Sequence, residues 1–312
     1  MSAEEPSYRA GASDPLSAGI SRRRLLAVTG TLIAAAFVQT KCGGGGDGKS
    51  AATVAAETGT RQSFAENAGV RIYYEVQGSG PPLLLHHGFT GSAEGWRQYG
   101  YTDALANQFR VIAMDARGHG KSDKPHDEAA HTMELRTGDI VAVLDACDVE
   151  RVHYWGYSMG GRTGFAFLQM HPERVATLIN GAAASYSPKL EEKSLRQRAE
   201  GLRSGDLKAA AQALNTTEEA MALLLRDNDP EALASSSLGL LSWNGVDPST
   251  LNAPSLHYAG ELDPLLQATR RAASAMPGAV FQMIPGVNHL TGFARSDLVL
   301  PLATGFLKEH LA

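Results

Sequence analysis

From residue 61 onward the chain alternates short apolar runs with longer stretches of helical spacing. Residues 63–67 and 70–76 predict two strands joined at Ala68-Gly69, with Val70, Ile72 and Tyr74 alternating between faces. Residues 82–86 form an unbroken apolar run built on Leu83, Leu84 and Leu85, the pattern of a strand covered on both faces. A helix is expected over 96–107, a second apolar strand over 109–114, and a helix over 132–147 with Leu135, Ile140, Val143 and Leu144 at helical spacing. Residues 152–155 predict a buried strand, 162–170 a helix closed by His171-Pro172, and 175–179 another strand. Then the rhythm breaks. Over 185–251 Leu190, Leu195, Leu202, Leu207 and Leu214 keep helical spacing, and no strand pattern interrupts them. Strand–helix order returns with 255–259, 265–275, 280–284 and a last helix ending near Leu311. Such alternation predicts an α/β fold: a mostly parallel sheet of about eight strands with helices on both faces. A helical block dropped between two strands predicts a cap over the sheet's C-terminal edge, where ligands bind in such folds.

This pattern divides the chain into a leader (1–60), a core (61–184 and 252–312) and a helical cap (185–251). The leader begins with a polar stretch expected to be disordered. Arg22-Arg23-Arg24 with the short apolar run to Val38 resembles a twin-arginine export signal, and the run is short for a membrane span. The expected location is therefore outside the cytoplasm, periplasmic or extracellular. Cys42, followed by Gly43 to Gly46, resembles a lipoprotein's acylated cysteine and tether, so membrane contact is expected only through the signal or such an anchor. Gly43 through Gly48-Lys49-Ser50 fits the phosphate-loop pattern, but no buried strand precedes it and no helix pattern follows.

The 312 residues carry a formal net charge of −5 with no basic stripe, which argues against nucleic acid as a partner. The two cysteines, Cys42 and Cys147, stand in dissimilar surroundings, so no disulfide framework is expected. No clustered His, Cys or Asp spacing suggests a metal, and no cofactor is implied.

The chemistry gathers at Gly156-Tyr157-Ser158-Met159-Gly160, a G-x-S-x-G pattern between a predicted strand and a predicted helix. A serine on that sharp turn has its Oγ pushed out at the top of the sheet, and the N–H of Met159 points at whatever the serine attacks. Three further motifs lie in order around it: His87-Gly88-Phe89, Asp115-x-Arg117-Gly118-x-Gly120-x-Ser122, and Gly260-Glu261-Leu262-Asp263 with Asn288-His289 later.

On these four motifs the chain resembles the α/β-hydrolase superfamily, in particular its capped esterase, lactonase and perhydrolase-like branch. The resemblance implies an eight-stranded sheet and a nucleophile, acid and base in the chain order Ser158, Asp263, His289. Asp263 follows a predicted strand, with Asp247 and Asp297 as rivals and a helix-capping role as its structural alternative. His289 lies in an expected loop past Asp263, whereas His86, His153 and His257 fall inside strands. The oxyanion donors implied are the N–H groups of Phe89 and Met159. Trp243 of the cap is expected to line an apolar acyl pocket with them. A serine at the elbow, where the family's dehalogenases and epoxide hydrolases carry aspartate, implies acyl chemistry on a small or medium-sized ester. A lactonase, a cofactor-free perhydrolase related to haloperoxidases, and a ligand-binding protein with negligible turnover share the same motifs.

Overall fold

A computed structural model of the protein describes residues 59–311 except Asn215 and Asp227. The twin-arginine stretch, Cys42 and the phosphate-loop match lie outside the described residues. Among the described residues no helix is long and apolar enough to cross a membrane.

The first half of the core runs β1 (Arg61–Asn67), β2 (Val70–Gln77), β3 (Pro82–His86), α1 (Ala93–Gln98), α2 (Tyr101–Ala106), β4 (Arg110–Met114), α3 (Met133–Ala146), β5 (Val152–Tyr157), α4 (Met159–Met170) and β6 (Val175–Gly181). Four helices follow without an intervening strand: α5 (Glu192–Ser204), α6 (Leu207–Ala213), α7 (Glu218–Leu225) and α8 (Pro230–Gly239). The core closes with β7 (Ser255–Gly260), α9 (Leu266–Ala275), β8 (Val280–Ile284), α10 (His289–Ala294) and α11 (Ser296–Glu309).

The eight strands form one sheet in the order β1-β2-β4-β3-β5-β6-β7-β8. Pairing is antiparallel for β1 with β2 and β2 with β4, and parallel elsewhere. Period-two alternation divides the interior. Leu84, Ile112 and Tyr154 pack on one face with α3 and α4, while Leu83, Leu85, Val111 and Trp155 pack on the other with α1, α2 and α11. With helices on both faces, all six residues of β5 are buried. A third cluster, including Leu202, Met221, Leu233 and Leu238, is the cap's own, and Phe89 from the turn after β3 packs against it.

The helix expected over 96–107 is two helices. Gly100 takes a left-handed φ of +79° between them, and the Tyr99 and Gly100 N–H groups close the end of α1 on the carbonyls of Gly95 and Arg97. Amphipathic spacing alone does not reveal such a break.

Candidate active site

Ser158 stands between β5 and α4 with φ +53° and ψ −109°, a conformation worth on the order of 1–3 kcal/mol of strain for a non-glycine residue. Its surroundings hold it there. The Ser158 N–H donates to the Gly181 carbonyl at 2.7 Å, and its carbonyl accepts from the Arg162 N–H at 2.9 Å. The turn closes because its glycines lack side chains: a Cβ on Gly156 would overlap the Gly160 carbonyl, and one on Gly160 would overlap the His86 carbonyl.

The other two groups come from loops at the ends of β7 and β8. These loops are tied together by the Glu261 N–H on the Ile284 carbonyl and the Leu262 N–H on the Val287 carbonyl, both 2.9 Å. Asp263 divides its fully buried carboxylate. Oδ1 accepts the Leu265 N–H at 2.8 Å, and Oδ2 lies 2.9 Å from His289 Nδ1. One side chain thus serves both the turn ahead of α9 and the imidazole, while α9 itself, with Leu265 at its N-cap, has no side-chain cap. His289, expected in a loop, is the first residue of α10. Asn288 caps that helix, accepting from the Leu290 and Thr291 N–H groups while Thr291 Oγ1 accepts from the Asn288 N–H. Tyr157 Oη donates to the His289 carbonyl at 2.6 Å. With Nδ1 donating to the carboxylate, Nε2 presents its lone pair to Ser158 Oγ, 2.8 Å away.

The rival carboxylates are elsewhere: Asp247 caps a short turn at Ser249, and Asp297 pairs with Arg295 on the surface. His86, His153 and His257 are buried within strands, bonded to Tyr154, Thr177, and Asn180 with Ser255 respectively. Burial lowers the pKa of each.

The turn after β3 approaches the serine closely, and a Cβ on Gly88 would lie 3.3 Å from that of Ser158. His87 shapes this turn by donating from Nδ1 to the Gly88 carbonyl and accepting the Ala116 N–H at Nε2. Asp115 joins it to the neighbouring loop through the Ala93 and Lys121 N–H groups. Among the described residues the N–H groups of Phe89 and Met159 are bonded to no protein acceptor, which leaves both able to receive an oxyanion. A cleft of about 160 Å³ opens between this turn and α7, bordered by Thr90, Ser92, Leu223, Leu224 and Asn228.

Trp243 departs from expectation. It is buried in the cluster over α3 and α4, and its indole N–H donates to Gln169 Oε1 at 3.1 Å. Gln169 lies ten residues along α4 from Met159, about 15 Å at 1.5 Å per residue. Trp243 therefore packs under the cap's far end rather than beside Ser158. Its place in the cap suggested pocket lining; its partner shows the direction it faces.

Two arginines not singled out from sequence border the site. Arg136 of α3 is buried, places Nη1 3.4 Å from Met159 Sδ, and bonds the His131 carbonyl and Ser236. Arg198 of α5 lies over the Phe89 ring, 4.2 Å from its centroid, and donates from Nε to Ser237 Oγ at 3.0 Å. Among the described residues no three His, Cys, Asp or Glu side chains are grouped to hold a metal ion.

The family described as alpha/beta hydrolase fold matches residues 81–223. A putative 2-succinyl-6-hydroxy-2,4-cyclohexadiene-1-carboxylate synthase of Bacillus subtilis is 34% identical over 115 residues, 36% of this chain and 40% of that protein. The aligned part of this chain thus spans less than half of that relative's length. Among solved structures, an enol-lactonase from Burkholderia xenovorans superposes with a TM-score of 0.69 at 24% identity, covering 79% of this chain and all of that one. An N-acyl homoserine lactone-degrading enzyme superposes with a TM-score of 0.66 at 27% identity, over 78% of this chain and all of its own. The chain has the α/β-hydrolase fold and is similar to members of that superfamily.

Proposed function

We propose that the protein is a serine hydrolase that cleaves carboxylic esters of small or medium size through an acyl-enzyme. The observation that carries this reading is the unbroken hydrogen-bonded line from Asp263 Oδ2 through the His289 ring to Ser158 Oγ. Ser158 Oγ attacks the ester carbonyl while His289 Nε2 takes its proton. The tetrahedral oxyanion receives the N–H groups of Phe89 and Met159, each worth roughly 3 kcal/mol of transition-state stabilisation. As the intermediate collapses, the alcohol leaves with the proton held by His289. Water then attacks the acyl group, giving a proton to Nε2, and Nε2 returns it to Ser158 Oγ as that oxygen leaves and the carboxylic acid is released. Asp263 holds the ring in the required tautomer and stabilises the imidazolium.

A cyclic ester demands the same steps, so lactones fall within this reading. The 27% identity to the homoserine-lactone-degrading enzyme favours including them.

The test is labelling by a fluorophosphonate together with turnover of p-nitrophenyl acetate and butyrate. The wild-type protein should label and turn over both. Ser158→Ala should lose labelling, and His289→Ala should lose about 10³-fold or more in kcat. Equal labelling of Ser158→Ala would remove the nucleophile from the scheme; labelling without turnover would make the protein a binder.

A further inference from the structure

The arginines where cap meets core fall into two kinds. Arg117 pairs with Asp139, Arg162 with Glu191, and Arg203 with Glu128 and Glu231. Arg136 and Arg198 have no carboxylate within ion-pair distance among the described residues. Arg136 is buried and Arg198 half-buried, and a charge withdrawn from water without a partner costs up to several kcal/mol. These two lie on either side of the candidate oxyanion turn: Arg136 against Met159, Arg198 against Phe89.

We propose that the substrate bears a carboxylate and that Arg198 binds it, with Arg136 adding uncompensated positive charge at the same end of the site. This rests on the serine-hydrolase reading and names its substrate class.

Arg198 is prepared for that task. Its Nε is committed to Ser237, and its flat face is held on the Phe89 ring, which fixes the plane of the fork. Both terminal nitrogens, Nη1 and Nη2, are bonded to no protein group among the described residues, leaving the edge that grips a carboxylate through two parallel hydrogen bonds. Burial pushes the Arg198 pKa down to about 10 and that of Arg136 to about 9, the direction expected of cations short of counter-charge. Glu191, the carboxylate nearest in effect, is already taken by Arg162 and Tyr186. Arg136 has no free edge, since its nitrogens rest on His131, Ser236 and Met159. It therefore acts at a distance, by its field, on both the bound anion and the developing oxyanion.

The carboxylate can sit on the acyl or the alcohol side of the ester, and the substrates separate the two. Monoethyl adipate is compared with ethyl hexanoate for the acyl side, and 4-acetoxybenzoate with its methyl ester for the alcohol side. The full chain should prefer the anionic member of at least one pair by about 10- to 100-fold in kcat/KM. Arg198→Gln should collapse that ratio and Arg198→Lys restore part of it. Binding of adipate to Ser158→Ala by calorimetry gives a readout independent of chemistry, and it should be lost in Ser158→Ala/Arg198→Gln. No preference in either pair, or a preference and adipate binding that survive Arg198→Gln, overturns the proposal. Adipate binding by Ser158→Ala without wild-type turnover of any ester would instead leave the anion site standing and defeat the hydrolase reading. Arg198→Gln is screened by thermal melting, and if it does not fold, the wild-type ratios and the Arg198→Lys ratio decide.

Discussion

At the residue, the elbow works because the surrounding backbone leaves no space for side chains. Gly160 lies against the His86 carbonyl, so Gly160→Ala must displace either β3 or the serine itself. It should destabilise the protein by about 2–3 kcal/mol, read from urea denaturation, and lower kcat on p-nitrophenyl acetate more than KM. Tyr157 tests positioning more gently. Tyr157→Phe deletes only the hydroxyl that donates to the His289 carbonyl, and should lose about 1 kcal/mol of stability with a several-fold fall in kcat. The candidate triad was legible because its members fall at the ends of strands whose apolar runs are plain. The arginines were not. Arg198 stands three residues past Leu195 and four before Leu202, on the face those leucines bury, and Arg136 stands likewise between Met133 and Ile140. A cation on a buried helical stripe was the available signal, and it is masked when leucines alone are counted.

Among the elements, α10 matters beyond its six residues, because its first one is His289. Its capping box fixes where the helix begins, and hence where the ring stands. Asn288→Ala should lose about 1 kcal/mol of stability and reduce kcat with little change in KM; an unchanged kcat would show that Tyr157 and Asp263 suffice to hold the imidazole. Short elements of this kind escape sequence reading. Six residues, His289–Ala294, carry too little periodicity to be told from a loop. Likewise the break at Gly100 is a matter of local φ rather than of pattern. The long strands and α3 were visible because burial on both faces, or on one stripe, imposes a repeat.

Across the whole molecule, enclosed histidines set the response to acid. Burial lowers the pKa of His86, His87, His119 and His153, takes His131 to about 3, and takes His257 to about 4. An unfolded histidine takes up its proton near pH 6.5, so below that value the unfolded chain binds more protons than the folded one. Stability from these groups is complete above about pH 6.5 and drains as pH falls through the folded values. His131 and His257 alone should each remove on the order of 1 kcal/mol per pH unit between pH 6 and 4. Urea midpoints at pH 7 and pH 5 check this: a clear fall is expected, and equal midpoints would show these rings already protonated when folded.

The grip of Arg136 on both halves of the molecule bears on how such a protein can change. One nitrogen reaches the thioether beside Ser158, while another holds the backbone and hydroxyl of Ser236 in α8. Transplanting a foreign lid without a matching acceptor would strand a bare cation beneath it. New substrate ranges are therefore expected to arise by point substitution within the resident helices rather than by exchange of the segment as a block.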